Sequence, residues 1–208
     1  MLSTDFFKDK DELIIDELVT FFLAGMKTIQ ISTTNLIYYL TKYPDIRAKL
    51  MNEIRPPLDK LTNLEELSYE EVMDFEYLAM CYNESLRIEP PVASSSSQAV
   101  INECEFSNKG QKFRFKPETQ FAINFEAIHH DKKIWLEPSL FVPERFDSKT
   151  EGNKWYLTPD GNQRNPMAFT PFMGGKRVCL GKTFAEVNTR FTVPLLYHFF
   201  DFEFVDPK

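Results

Sequence analysis

The sequence contains few cysteines, no excess of positive charge and no long apolar run. Its three cysteines, Cys81, Cys104 and Cys179, are too few and too scattered for a disulfide framework. A net charge of −7 argues against a nucleic acid as the main partner. The N-terminus lacks the apolar core of a secretory signal, and the apolar segment 19–26 is too short to span a bilayer. We therefore expect neither a nucleic-acid partner nor a membrane anchor within these residues.

Aromatic side chains, in contrast, are abundant, and helical periodicity is strong. The 208 residues include 20 phenylalanines, which provide enough apolar surface for a sizeable core. Apolar residues at helical spacing predict helices over 11–43, 45–55 and 69–88. Prolines follow each range, and the pair Pro56 and Pro57 is expected to stop the second helix.

The periodicity changes from helical to alternating in the second half of the chain. Residues 113–115 and 121–125 alternate between apolar and polar around a turn sequence, which predicts a β-hairpin. Residues 126–175 are rich in proline, glycine and asparagine and are predicted to be mostly loop. Irregular stretches of this length are often functional.

The C-terminal region predicts one more helix and a closing strand. The helix is expected to start near Leu180, and Pro194 should kink or end it. Phenylalanines alternate with acidic residues over 200–204, as in a strand. The order of elements predicts a mostly α protein with small β-hairpins, of the α+β class.

The segment 172–181 carries the strongest chemical signal. Cys179 stands at the mouth of the predicted last helix, where the helix dipole and backbone N–H groups stabilise a thiolate. Arg177 adds positive charge and can pair with an anionic group. Gly174, Gly175 and Gly181 allow tight turns and a close approach to a flat ligand.

This segment resembles the haem-binding signature of the cytochrome P-450 family, F-x-x-G-x-R-x-C-x-G. Five positions match the signature: Phe172, Gly175, Arg177, Cys179 and Gly181. The resemblance implies that these residues bind haem, with Cys179 as the axial ligand of the iron and Arg177 holding a propionate. A thiolate ligand pushes electron density towards the iron and favours O–O cleavage. The alternative is a glycine-rich turn with a buried free cysteine.

Two separated motifs resemble the family's structural support for that loop. Glu84 and Arg87 lie three residues apart on one predicted helix face, close enough to pair, and resemble the E-x-x-R motif. Residues 143–146 match the P-E-R-F segment. The resemblance implies that Arg145 completes a Glu84–Arg87–Arg145 network that fixes the loop bearing Cys179.

Further matches lie just before the P-E-R-F segment. Trp135 and Pro138 match W-x-x-P, and residues 127–129 resemble the stretch that precedes it. We interpret His129 as a structural or haem-side residue and not as a metal ligand, the alternative being a satisfied polar histidine. The motifs occur in the family's order, and this ordered co-occurrence argues against accident.

The first predicted helix contains a motif that resembles the family's A-G-x-D/E-T. Ala24, Gly25 and Thr28 match it, and the resemblance implies a catalytic role in which Thr28 guides protons to dioxygen. Lys27 replaces the usual acid, and an ammonium group cannot accept a proton. Either another group relays protons, Lys27 points outward, or activation is altered. The alternative for these small residues is a helix-packing contact.

A second departure concerns the haem propionates. Many relatives place a basic residue shortly after the E-x-x-R helix, whereas this chain has four serines at 94–97. Serine hydroxyls can hydrogen-bond a carboxylate without contributing charge. Propionate contacts other than Arg177 therefore stay open. Lys176, Lys182 and Arg177 suggest a basic docking face for an acidic reductase, although ordinary surface charge is the better explanation of the two lysines.

The resemblance extends over nearly all of residues 1–208. It implies a single incomplete domain, the C-terminal half of a cytochrome P-450 domain whose N-terminal half is absent. The implied activity is insertion of one oxygen atom from O2 into a small apolar organic substrate, with electrons from NADPH through a reductase. Membrane attachment would come only from an N-terminal anchor outside these residues, at the cytosolic face of the endoplasmic reticulum.

Two other functions remain open at this point. One is a truncated or degenerate family member that binds haem or serves as a subunit without catalysis. The other is a helical interaction protein without haem. We also expect an exposed apolar face around Phe21, Phe22 and Met26, which would favour association.

Overall fold

A computed structural model describes Phe7, residues 10–63 and residues 66–205. Helices dominate this part of the chain, and two small antiparallel sheets accompany them. The predicted α+β class is confirmed.

The described residues form six α-helices, numbered in chain order. They are α1 (Asp11–Lys42), α2 (Pro44–Leu58), α3 (Tyr69–Met73), α4 (Glu76–Ile88), α5 (Phe125–His129) and α6 (Lys182–Phe199). Asp11 and Glu12 lie in the first turn of α1, where their charges complement the helix dipole. Ser68 and Glu71 form a reciprocal capping box that starts α3.

The prediction of one helix over 69–88 is wrong in one respect, because these residues form two helices. The capping box starts the short helix α3, which ends before Asp74. The carboxylate of Glu53 on α2 then accepts hydrogen bonds from the amides of Tyr77 and Leu78, at 2.7 and 2.9 Å. A side chain from another helix thus supplies the N-terminal partners of α4, and local periodicity cannot reveal such a partner.

The expected stop of α2 at Pro56 and Pro57 is wrong, and α6 does not end at Pro194. Helix α2 continues through Pro56 and Pro57 to Leu58, since prolines in a last turn remove few hydrogen bonds and the Asp59 amide still reaches the Arg55 carbonyl at 2.9 Å. Helix α6 passes Pro194 and ends at Phe199. Pro194 is buried in α6, and packing of this helix on α2 overrides the local cost of the proline.

In the part of the chain that the structure describes, four strands form two antiparallel pairs. They are β1 (Gln98–Ala99), β2 (Cys104–Asn108), β3 (Gln111–Phe115) and β4 (Gln120–Phe121), with β1 paired to β4 and β2 paired to β3. The predicted pairing of 113–115 with 121–125 is therefore wrong. Lys109 and Gly110 both have positive φ, 48° and 81°, and this two-residue turn joins β3 to the preceding strand instead.

The predicted closing strand is wrong as well. Residues 200–204 are irregular, although Phe202 packs its ring edge-on against Tyr197 at 5.2 Å. Arg47 donates a hydrogen bond to the Phe202 carbonyl at 3.2 Å. Phe202 therefore anchors the segment by packing, whereas Phe200 and Phe204 are exposed.

The main apolar core lies where α1, α2, α4 and α6 meet. It includes Leu36, Leu50, Leu78 and Val193, all with 0% exposure. The region predicted to be mostly loop is irregular apart from α5 and the 3-10 turns Pro143–Phe146, Pro166–Ala168 and Gly175–Arg177. No helix in the described ranges is long and apolar enough to cross a membrane.

Candidate functional site

The cysteine loop, residues 172–181, lies at the surface immediately before α6. The Cys179 amide donates to the Phe172 carbonyl at 2.8 Å, which closes the loop on itself. Gly175 has a φ of +65°, the left-handed conformation that glycine adopts without steric cost. Met173 has a φ of +64°, which costs a non-glycine residue roughly 1–2 kcal/mol.

A cavity of about 330 Å³ connects this loop to α1 and α4. Cys179 and Phe172 line it from the loop, Thr28 and Ser32 from α1, and Tyr82 from α4. The hydroxyl of Thr28 donates to the Ala24 carbonyl at 2.8 Å, as serine and threonine often do in helices. The structure thus places the predicted iron ligand and the predicted proton-relay threonine on the same cavity.

Other residues of the predicted site lie outside the cavity lining. Ala24 and Lys27 are exposed on α1, and Gly25 does not line the cavity either. Arg177 is exposed and does not line it, so the structure does not bring this guanidinium to the place predicted for a propionate contact. A Cβ on Gly181 would lie 3.8 Å from Cys179 Sγ, which is an ordinary van der Waals contact.

The donor set around the cavity fits one kind of metal group. The described residues contain no cluster of three or more His, Cys, Asp or Glu side chains that could hold a metal ion. Cys179 is the only ligand of that kind in the lining, whose other members are apolar or carry hydroxyls. One soft sulfur suits the axial position of an iron that brings its own four nitrogens, and the apolar walls suit a flat macrocycle. The residues present therefore fit haem.

Hydroxyl groups are the polar groups in the cavity lining that could bind a carboxylate. Ser94, Ser95 and Ser96 line it, and none of its lining residues is charged. The Ser95 hydroxyl, 6% exposed, already accepts a hydrogen bond from the Ile123 amide at 2.9 Å. Its own proton remains free to donate.

The structure brings Glu84, Arg87 and Arg145 together in a buried network. All three side chains have 0% exposure. Arg87 meets Glu84 through two hydrogen bonds of 2.7 and 2.9 Å, and Arg145 Nε meets Glu84 at 3.0 Å. The Val142 amide adds a further bond to the carboxylate at 2.9 Å. Glu84 thus joins α4 to the loop of residues 136–145.

Sequence reasoning missed Arg164, which extends this network. Its guanidinium lies 4.3 Å from the ring centre of Trp135 and donates to the carbonyls of Trp155 and Arg145. Burial, and next the charge of Arg145, lower the pKa of Arg164 to about 10. Its hydrogen-bond partners are backbone carbonyls, which leave no residue-type signal in a sequence.

Two buried guanidiniums, those of Arg87 and Arg145, thus share a single buried carboxylate, and the partly buried Arg164 lies beside them. The shortfall of negative charge is met by carbonyl oxygens and by aromatic faces. Arg87 lies 5.2 Å from the ring centre of Trp135, and Arg145 lies 4.9 Å from that of Trp155. Such cation–π contacts gain strength when they are desolvated.

His129 is fully buried, with 0% exposure, and bonds to two elements. Its carbonyl accepts from Arg87 at 2.8 Å, and its Nε2 accepts from the Thr170 amide at 3.1 Å. Burial, and next the charge of Arg87, lower the pKa of His129 to about 4. It does not line the cavity, in keeping with the predicted structural role.

The exposed Cys179 and the buried Glu–Arg–Arg network fit a site of the haem-thiolate class. The cytochrome P450 family model matches residues 7–208. The chain belongs to the cytochrome P450 family, a family of haem monooxygenases whose cofactor is a thiolate-ligated haem.

Individual relatives agree with this membership. The chain is 31% identical to cytochrome P450 3A7 of Homo sapiens, over 91% of this chain and 34% of that protein. It is 32% identical to cytochrome P450 3A15 of Cavia porcellus, over 97% and 38%, and 32% identical to a human ultra-long-chain fatty acid omega-hydroxylase, over 89% and 32%. The chain thus spans about a third of the length of these relatives.

Proposed function

We propose that this chain forms the cysteine-loop part of a monooxygenase that inserts one atom of O2 into a small apolar organic substrate. The observation that carries the proposal is the shared cavity, which brings together Cys179, Thr28 and apolar walls. Haem, when bound, supplies the redox chemistry of oxygen activation. Electrons would come from NADPH through a reductase.

Each role in this proposal belongs to a named residue. Cys179 would ligate the iron, and the ring of Phe172 would lie against the macrocycle. Glu84, Arg87 and Arg145 would hold the framework below the loop, as their burial and mutual hydrogen bonds support. Gly175 would allow the left-handed backbone conformation in the loop that presents the sulfur, whereas Gly181 has an ordinary φ of −84°.

The propionates require a proposal that differs from the resemblance. Ser94, Ser95 and Ser96 line the cavity, whereas Arg177 does not. We therefore propose that serine hydroxyls donate to at least one propionate, and that Arg177 reaches the other only if its exposed side chain turns towards the cavity.

Thr28 is the proposed proton-handling residue. Its hydroxyl proton is directed to the Ala24 carbonyl, so its oxygen is left to accept a proton or a hydrogen bond from the cavity side. Lys27 occupies the position of the usual acid, so this position has no carboxylate. Its exposed side chain does not line the cavity either. Ser32 lines the same cavity one helical turn later and can extend the hydroxyl path.

A non-catalytic haem protein is the second candidate function. The lysine in the acid position favours it, and so does the exposed apolar side of α1. That side includes Leu18, Phe22, Leu23 and Met26, each more than half exposed.

We propose that this apolar surface belongs inside a larger domain of which residues 1–208 form one part. A membrane location at the cytosolic face of the endoplasmic reticulum remains part of the proposal by analogy with eukaryotic relatives.

A carbon monoxide difference spectrum tests the cofactor assignment. The chain is produced with haem, reduced and exposed to carbon monoxide beside its Cys179→Ala variant. We expect the red-shifted Soret band of a thiolate-ligated haem in the parent and its loss in the variant. Haem uptake with the same band in both proteins would contradict the assignment. NADPH-dependent turnover then separates the monooxygenase from the non-catalytic alternative.

A further inference from the structure

Within the described residues, one side-chain hydrogen bond connects the segment that carries Cys179 to the rest of the protein. The Thr170 amide donates to His129 Nε2 at 3.1 Å. Among the described residues, no other side chain hydrogen-bonds to segment 169–181. The exposed stretch 175–180 therefore depends on this bond and on the packing of Phe169 and Phe172.

His129 also contacts the arginine network through its backbone. Arg87 Nη1 donates to the His129 carbonyl at 2.8 Å, and the same guanidinium is held by Glu84. One buried residue thus accepts hydrogen bonds from α4 and from the segment that leads into the cysteine loop.

The bond at Thr170 continues to Cys179 through the backbone. The Thr170 carbonyl accepts from the Met173 amide at 3.0 Å. The Phe172 carbonyl then accepts from the Cys179 amide at 2.8 Å. Movement of Thr170 would therefore displace the peptide unit that holds the cysteine.

The bond requires a neutral imidazole. Since Nε2 accepts, the ring proton lies on Nδ1, which has no hydrogen-bond partner among the described residues. A protonated ring has no acceptor left. The charged group that bears on it is Arg87, which is paired with Glu84 on α4. Burial and the charge of Arg87 keep the ring neutral.

We propose that His129 is a positioning residue that fixes the cysteine loop relative to the buried arginine network. It acts through the Thr170 amide and does not touch the cavity, so it is not a catalytic residue. The inference rests on the proposed haem-thiolate function only for its purpose, because the contacts themselves involve protein atoms alone.

Three variants of the natural protein that carries this chain separate the hydrogen bond from other effects. His129→Phe keeps an aromatic ring beside Phe169 but removes the acceptor, whereas His129→Gln keeps a carbonyl acceptor of similar reach. His130→Phe is the matched control, since its ring nitrogen contacts only the Glu126 carbonyl one turn away in the same segment.

The first readout is amide hydrogen exchange of peptide 170–179, measured without cofactor. Loss of one hydrogen bond should speed exchange about tenfold in His129→Phe. His129→Gln should restore most of the protection, and His130→Phe should match the parent. The second readout, with haem, is the rate at which the carbon monoxide complex loses its thiolate-type band, which should follow the same order.

Equal exchange in His129→Phe and the parent would overturn the proposal. Should His129→Phe fail to fold, the parent protein still decides, because an unprotected peptide 170–179 would contradict the anchoring bond. A parent that shows no thiolate-type band would overturn the proposed function but leave the exchange comparison valid. The two failures are therefore distinguishable.

Discussion

The arginine network and the cysteine loop are neighbours with opposite construction. Glu84, Arg87 and Arg145 have 0% exposure, and several elements contribute hydrogen bonds to them. In the cysteine loop, residues 175–180 are all exposed. Within the described chain, one side-chain hydrogen bond reaches segment 169–181 from outside, and it lies at Thr170, before the loop begins.

The difference shows how stability and reactivity are divided in this part of the fold. An unpaired charge in a buried network costs several kcal/mol, so all members must stay paired. The network therefore holds α4 and the loop of residues 136–145 rigidly together. The loop that presents a reactive sulfur must stay accessible, and it accepts backbone strain at Met173. The network is therefore the region where a single substitution should cost most.

Glu84→Gln should produce the largest loss of stability. The substitution keeps the shape of the side chain but leaves Arg87 and Arg145 buried without a counter-charge. Breaking a buried ion pair in this way costs about 3–5 kcal/mol. Chemical denaturation followed by circular dichroism measures the free energy of unfolding.

A surface ion pair provides the matched control. Glu76 pairs with Lys149, and their side chains are 56% and 71% exposed. Glu76→Gln should leave the free energy of unfolding nearly unchanged. If both variants lost the same stability, the contrast between the buried network and the surface would be wrong.

The sequence predicts local features of the site better than it predicts distant partners. Helical spacing alone places Glu84 and Arg87 on one face, and they do pair. Arg145 lies 61 residues from Glu84, and only the family resemblance brought the two together beforehand. Arg164 binds carbonyls and ring faces, so no spacing rule points to it.

Errors in the fold prediction have the same origin. The partner of β3 depends on the left-handed turn at Lys109 and Gly110, whose lysine is not a typical residue for positive φ. The break between α3 and α4 depends on Glu53, and the passage of α6 through Pro194 depends on packing against α2. In each case, a tertiary contact or an uncommon backbone conformation overrides local preference.

Acid should weaken the link between the two regions. The pKa of His129 is lowered from 6.5 to about 4, so the folded protein keeps the ring neutral while the unfolded chain takes up a proton. The contribution of the neutral His129 to the free energy of unfolding is complete above pH 6.5. It is lost as the pH falls towards 4, by about 3 kcal/mol in total. Denaturation curves between pH 7 and 5 measure the slope.

His129→Gln provides the control for this slope. The variant has no imidazole, so its stability should change much less between pH 6.5 and 5. Carboxyl groups such as Glu71 and Asp147, whose pKa values are lowered by hydrogen bonds, contribute below this window. An unchanged slope in the variant would assign the acid sensitivity to other groups.

Met173 offers the smallest and most local change in the cysteine loop. Its φ of +64° is strained for any side chain with a Cβ, whereas glycine adopts this conformation freely. Met173→Gly and Met173→Ala both remove the methionine side chain from the cavity, but only the glycine relieves the backbone. We expect the glycine variant to be more stable than the alanine variant by about 1 kcal/mol, as measured by denaturation at neutral pH. The loop has few hydrogen bonds to the rest of the protein. Equal stabilities of the two variants would therefore mean that the loop backbone relaxes and stores no strain at Met173. The contrast in rigidity between the loop and the arginine network would then be larger than the structure indicates.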